Sequence, residues 1–322
     1  MRTHMRACTH ARTHASTPRA PSRAGAASFY AEFLEAFVAR AERGAPAGWR
    51  CSAVVVGHPG HSTHTLLPRP LSLDEQVCVC ARSFFGRRGG GGATPRCPSQ
   101  VRHKVAALVW LQERLPAAGI ILGGHSVGAY MCMRVMDALS APAAVLQVHN
   151  WFPTVIDLGA TPNAGRLAPL FTRAGRRGAM AVAWVVRTLL PFPAQRWLVR
   201  LYMPGAPAWV PDVVRSLLHE DVANAALTMG AQEMVEIAAQ VLSLNTDVWE
   251  HRVRWLFAHG DDDGWVPALV RDRLGARFDK SVSSVCAPHA RVPHAFCVSH
   301  STQVADVAWA WAAEALQDAG AR

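Results

Sequence analysis

Ser126 lies in Gly124-His125-Ser126-Val127-Gly128, the G-x-S-x-G spacing of a nucleophile elbow. The residues before it, "GIIL" from Gly119 to Leu122, are apolar and strand-like, and "AYMCMRVMDAL" after it reads as a helix. A strand–turn–helix of this kind lifts a serine Oγ clear of the sheet. The turn is tight, so the positions two before and two after the serine, Gly124 and Gly128, need tiny residues. It also presents the Val127 backbone N–H at the positive end of the new helix, where an oxyanion would be held. A near-copy, "GHPGHSTH" at Gly57 to His64, fails the same test: Ser62 has no second glycine behind it, and Pro68 and Pro70 stand where a helix should run. His58 and His61 read as turn histidines, or as residues at a pocket mouth.

A serine nucleophile needs a base and a group that orients the base. With this elbow the chain order is serine, then an acid, then histidine, the later two in loops after late strands. "WLFAHGDDDGWVP" supplies the acid, because an apolar strand there ends in Asp261-Asp262-Asp263; spacing alone does not choose among the three. His289, His294 and His300 compete for the base. His294, in "RVPHAF", follows an extended segment and precedes the last helix, which is the expected place.

These residues must be positioned by strands alternating with helices, which predicts an α/β fold with a mostly parallel sheet and helices on both faces. Apolar residues at helical spacing run from Phe29 to Gly44; "RCSAVVV" ending at Val56 reads as a buried strand; "GRRGGGGATPRCPSQ" (Gly86 to Gln100) reads as a loop. "QVRHKVAALVWLQERL" is an amphipathic helix, and "AAVLQVHNW" and "RVRWLF" are strands. Residues 155–250 break the alternation and are helical in character, an expected cap inserted between core segments 28–154 and 251–322. Residues 1–27 repeat Arg-Thr-His and hold no acid and almost no large apolar side chain, so disorder is expected; an organelle transit peptide and a wrongly assigned start of the reading frame are the other readings.

The 322 residues carry a formal charge of +10, nearly all from arginine, since Lys104 and Lys280 are the only lysines. Such a balance fits either coding-sequence bias or an anionic surface such as phospholipid headgroups. Nothing in it has the pattern of a nucleic-acid binder. The eight cysteines form no CxxC pair, which argues against a zinc ribbon and a disulfide framework. No histidine pair has metal-ligand spacing on a helix and no phosphate loop is present, so neither metal nor cofactor is expected.

Together "SFYAEF", "GHPGHS", "QVRHK", "GGHSVGAY", "WFPT", "TPNAGRL", "MGAQEM", "HGDDDGWVP" and "VPHAF", in this order from Ser28 to Trp311, resemble the lipid-droplet-associated hydrolases, a branch of the α/β-hydrolase superfamily. The resemblance implies an α/β-hydrolase fold with nucleophile Ser126 and base His294, and an acid two residues before the tryptophan of Asp-x-Trp, which is Asp263, with Asp261 as the fallback. It implies a serine ester hydrolase at the lipid-droplet surface, with a cytoplasmic or endoplasmic-reticulum pool. Its substrate would be a neutral lipid ester, cholesteryl ester being the suggested one; its place would be in lipid storage or turnover. Protein partners are not specified. The alternatives are a weak or inactive hydrolase-fold protein that binds droplets, and a soluble carboxylesterase or thioesterase.

The chain departs from the family pattern at one place. The Asn-Pro-Gly turn expected ahead of the "FY" helix, which would give the second oxyanion N–H, reads Arg23-Ala24-Gly25. Losing one such donor costs roughly 100- to 1,000-fold in rate. A second expectation concerns residues 179–204, two apolar arms around Pro191-Phe192-Pro193. Each arm is too short to span a bilayer. A hairpin with snorkelling Arg187, Arg196 and Arg200 and interfacial Trp184 and Trp197 would enter and leave one face of a phospholipid monolayer. Two cap helices packed on the core are the alternative.

Overall fold

The computed structural model describes residues 26–46, 49–58, 99–139, 143–237, 252–258, 263–278 and 292–320. The expectations for residues 1–25, for Ser62 and His61, for the glycine-rich loop up to residue 98, and for Asp261, Asp262 and His289 fall outside them. In chain order the helices are α1 (Ala31–Gly44), α2 (Ser99–Arg114), α3 (Val127–Ala138), α4 (Pro162–Phe171), α5 (Arg173–Leu189), α6 (Phe192–Tyr202), α7 (Val210–Leu217), α8 (Glu220–Glu236), α9 (Ala268–Arg277), α10 (Phe296–Ser299) and α11 (Ser301–Gly320). The strands are β1 (Ile120–His125), β2 (Val145–Trp151) and β3 (Val253–Leu256). The chain divides into two compact units, one of Met1–Pro70, Ala168–Gly230 and Ala295–Arg322, the other of Leu71–Leu167 and Ala231–His294.

The second unit holds the sheet. β1 and β2 pair in parallel from Ile120↔Val145 to His125↔Trp151, and β2 and β3 from Val148↔Val253 to Trp151↔Leu256. All three strands therefore end on the same edge. β2 is central and almost wholly buried, so its polar side chains must be paired within the protein. Gln147 and His149, two apart and so on one face, bond each other at 2.6 Å, and Asn150 Nδ2 donates to Met133 Sδ of α3. The core gathers Val101 and Leu108 of α2, Met133 and Met136 of α3, Val148, Trp255, and Val270 and Leu274 of α9. At the other sheet edge Gly119 lies under Leu146, and in β1 a Cβ on Gly123 would fall 2.4 Å from the Trp151 indole. The diagonal cross-strand partner explains why that glycine is there.

The first unit is helical. Phe33 of α1 meets Phe296 edge-on at 5.5 Å, and Phe37 meets Trp309 of α11 at 6.1 Å. Arg40 pairs with Asp306. Residues Cys51 to Val56, expected as a buried strand, join no ladder among the described residues, and Val54 is exposed.

The apolar arms form two helices joined at Leu190-Pro191. Thr172 caps α5, accepting from Gly175 N–H at 2.9 Å, so the first arm starts earlier than its apolar run and reaches 17 residues. Gly175 has no room for a side chain: a Cβ would lie 1.9 Å from the Pro169 carbonyl. Across the turn, the buried Gln195 side chain donates to the carbonyls of Leu190 (2.8 Å) and Arg187 (3.2 Å), closing the end of α5. Arg215 of α7 donates to Gln195 Oε1 and lies over the Phe192 ring; Arg187 pairs with Glu220. Several large apolar side chains face outward. Gln195 is buried and Arg187 half-buried, while Val182, Leu189, Trp197 and Leu201 are 63%, 65%, 61% and 64% exposed. No helix among the described residues is long and apolar enough to cross a membrane.

Candidate active site

The site is built on the strand ends of the second unit. β1 ends at His125 and α3 begins at Val127, so Ser126 alone makes the turn. It takes φ 55° and ψ −125°, a conformation that costs a non-glycine residue about 1–3 kcal/mol and persists only where its neighbours hold it. Three hydrogen bonds do so. Ser126 N–H donates to the Trp151 carbonyl (3.0 Å), and the Ser126 carbonyl accepts from Ala129 (3.0 Å) and Thr154 (3.3 Å). Phe152, at the end of β2, also has a positive φ of 50°, with its N–H on the Leu256 carbonyl.

Among the described atoms the two glycines of the elbow differ. A Cβ on Gly124 would sit 2.3 Å from the Gly128 carbonyl oxygen, whereas a Cβ on Gly128 would meet nothing described within 4 Å. The strand end and the first helical turn press together on one side only. Val127 is the first residue of α3, where backbone N–H groups have no intrahelical acceptor, and its N–H makes no hydrogen bond among the described residues.

Ser126, His294 and Asp263 come together. His294 Nε2 is 3.0 Å from Ser126 Oγ and its Nδ1 is 2.9 Å from Asp263 Oδ2. The Asp263 side chain is buried, and its other oxygen accepts from the N–H groups of Trp265 (2.9 Å) and Val266 (3.2 Å). Burial works to raise the pKa of this carboxyl. The hydrogen bond to His294, the His294 charge and the two backbone donors outweigh that and hold it below the usual carboxylate value. An ionised Asp263 only accepts, so His294 carries its proton on Nδ1 and turns the Nε2 lone pair to the Ser126 hydroxyl. That is the arrangement for taking a proton from an attacking hydroxyl.

The loop that bears the acid is itself clamped. Asn163 N–H donates to the Gly264 carbonyl at 3.0 Å, and the Asn163 side chain packs so closely on Gly264 that a Cβ there would lie 2.5 Å from Oδ1. Thr161 Oγ1 donates to the Leu158 carbonyl and accepts from Ala164 N–H, fixing the start of α4. Thus the "TPN" of "TPNAGRL" holds the "DGW" of the acid loop. The His294 ring is ringed by His125 (5.1 Å between centroids), Phe152 (5.9 Å) and Trp265 (6.4 Å). His125 Nε2 lies 2.8 Å from the His294 carbonyl oxygen, a contact sequence reasoning missed, its only signal being its place beside the nucleophile. His300, the rival base, is bonded through Nδ1 to Ser299 Oγ. Among the described residues no group of three His, Cys, Asp or Glu side chains is placed to hold a metal ion.

A family described as "Lipid-droplet associated hydrolase" matches residues 96–297, more than half of the chain. The chain belongs to this family. The parallel sheet and the strand–elbow–helix at Ser126 give this lipid-droplet associated hydrolase family member an α/β-hydrolase fold. A mouse protein of the same description is 26% identical over 214 residues, covering 66% of this chain and 62% of the mouse protein. A Drosophila melanogaster relative is 24% identical over 284 residues, covering 86% of this chain and 82% of its own. Among solved structures, a thermophilic esterase from Thermogutta terrifontis is similar, with 16% identity, a TM-score of 0.40, and coverage of 72% of this chain and 77% of that one.

Proposed function

We propose that the chain is a serine ester hydrolase that acts on neutral lipid esters at the lipid-droplet surface. The observation that carries the chemistry is the continuous path from Ser126 Oγ through His294 to Asp263. His294 takes the Ser126 proton as Oγ attacks the ester carbonyl. Asp263 holds the tautomer and stabilises the imidazolium. The Val127 N–H binds the oxyanion, aided by the positive end of α3. His294 then protonates the leaving alcohol, and a water it activates releases the acid from the acyl-enzyme.

Droplet association is supported by the names of the mouse and fly relatives and by the apolar side chains that the hairpin exposes. α5 and α6 hold six arginines and no acidic residue, and they turn valine, leucine and tryptophan outward. An amphipathic element of this charge lies in the headgroup plane with its apolar side chains among acyl chains. Cholesteryl ester is the substrate that the family resemblance names. Lipid storage or turnover is the corresponding role.

A fluorophosphonate probe tests the chemistry. The purified chain is expected to label, and Ser126→Ala to abolish the label. Labelling that is indifferent to Ser126→Ala would overturn the serine-hydrolase reading. A chain that binds droplets without labelling would be a hydrolase-fold protein without catalysis, the reading favoured by the absence of Asn-Pro-Gly at residues 23–25.

A further inference from the structure

We infer that His125 is a positioning residue that fixes the backbone of His294 against the nucleophile strand. This rests on the reading above that His294 serves Ser126. The two neighbours at the elbow grip the same residue at two points. Ser126 Oγ meets the His294 ring at Nε2, 3.0 Å away, and His125 donates from Nε2 to the His294 carbonyl oxygen at 2.8 Å. A carbonyl oxygen accepts only, so the His125 proton sits on Nε2.

The grip matters because of where His294 stands. It follows Val292 and Pro293 and precedes the short helix α10, with no strand partner of its own among the described residues. Its Nδ1 bond to Asp263 fixes one edge of the ring but leaves the main chain free to pivot. The His125 bond removes that freedom at the carbonyl. The Cα–Cβ direction of the base is then set by the same strand that sets Ser126. His125 itself is the last residue of β1, in register with Trp151, and its ring stands edge-on to Phe152 at 6.0 Å, so the donor has a rigid footing.

His125 is also suited to the task by charge. Burial first, and the neighbouring His294 charge second, push its pKa down to about 3. It stays neutral when His294 becomes an imidazolium 5.1 Å away between ring centroids. A permanently charged donor here would oppose the proton transfer.

The test uses His125→Leu, His125→Gln and His125→Asn in the full chain. Glutamine carries a terminal N–H at nearly the reach of imidazole Nε2; asparagine stops one methylene short. A misplaced base costs up to about 100-fold in rate. The fluorophosphonate labelling rate should fall roughly 10- to 100-fold in His125→Leu and His125→Asn, and return to within about threefold in His125→Gln. The low-field Nδ1–H proton resonance of His294, which reports its bond to Asp263, should broaden or vanish in the first two and persist in the third. Folded His125→Leu or His125→Asn protein with unchanged labelling and an unchanged resonance overturns the inference. So does a His125→Gln variant that fares no better than His125→Asn. If His125→Leu does not fold, the glutamine–asparagine pair decides. If the parent chain does not label, the hydrolase reading falls, and the resonance still decides whether His125 holds His294.

Discussion

A Cβ on Gly124 would come within 2.3 Å of the Gly128 carbonyl oxygen and 2.6 Å of the Ala129 nitrogen, while Gly128 faces space that holds no described atom. The two glycines of the elbow are thus unlike. Gly124→Ala must push the strand end away from the helix start, with a destabilisation of about 3 kcal/mol or more, or no folded protein. Gly128→Ala should unfold in urea close to the parent midpoint. Its effect should instead appear in which probe sizes label Ser126. Equal denaturation midpoints for the two variants would contradict the asymmetry.

Asp263→Asn should leave the loop in place, since the amide oxygen still accepts from Trp265 and Val266. The amide N–H₂ then faces His294 Nδ1 and favours the wrong tautomer. Labelling at Ser126 should drop by about 10⁴-fold with the fold intact. Circular dichroism and the labelling rate, taken on one preparation, check both halves.

Glu233 of α8 gives a pH signature of opposite sign to that of the acid. Burial, and then the Glu236 charge, raise its pKa to about 7, and its Oε1 has no hydrogen-bond partner among the described residues. In the unfolded chain a glutamate ionises near 4.3. The folded state therefore holds this proton more tightly. The stability this contributes is full below about pH 4.3 and is lost as pH rises through about 7. Glu233→Gln should change the melting temperature little at pH 4 and raise it at pH 9. Asp263 runs the other way: its folded pKa is depressed, so its contribution is present above about 3.9 and lost as pH falls through the folded value.

Trp197→Asp and Leu201→Asp should weaken binding to artificial droplets coated with anionic phospholipid. Each side chain is more than half exposed, so the fold should not suffer. Burying such a side chain in an apolar phase contributes about 1.5–3 kcal/mol, so each loss should cost about tenfold or more in partitioning. Flotation assays at two salt concentrations separate this from the arginine contribution, which salt screens. Full flotation of the double variant would sink the hairpin as the docking element.

The elbow was readable in the sequence because its demands are local: a small residue, a serine, a strand before and a helix after, all within a few positions. The acid was not. Three contiguous aspartates look alike by spacing, and only the family resemblance separated Asp263 from Asp261. In the structure one carboxylate oxygen of Asp263 accepts from two backbone N–H groups, two and three residues ahead, and Asp261 lies outside the described residues. Gly123 and His125 were opaque for the opposite reason, since their partners, Trp151 and His294, lie 28 and 169 residues away. Cys51 to Val56 shows the limit of reading strands from β-branched runs. Such a run fits a pleated, half-buried surface, but it cannot name the neighbour that must accept its hydrogen bonds. Among the described residues there is none.

The parallel sheet has a consequence for the order in which the protein is made. Ser126 and His294 are 168 residues apart in sequence and meet where the parallel strands end. At a synthesis rate of roughly 5–20 residues per second, the serine leaves the ribosome some 8–34 seconds before its base. Through that interval its hydroxyl has no His294 to take its proton. A nascent chain, or one cut short before residue 294, would carry a serine without its base.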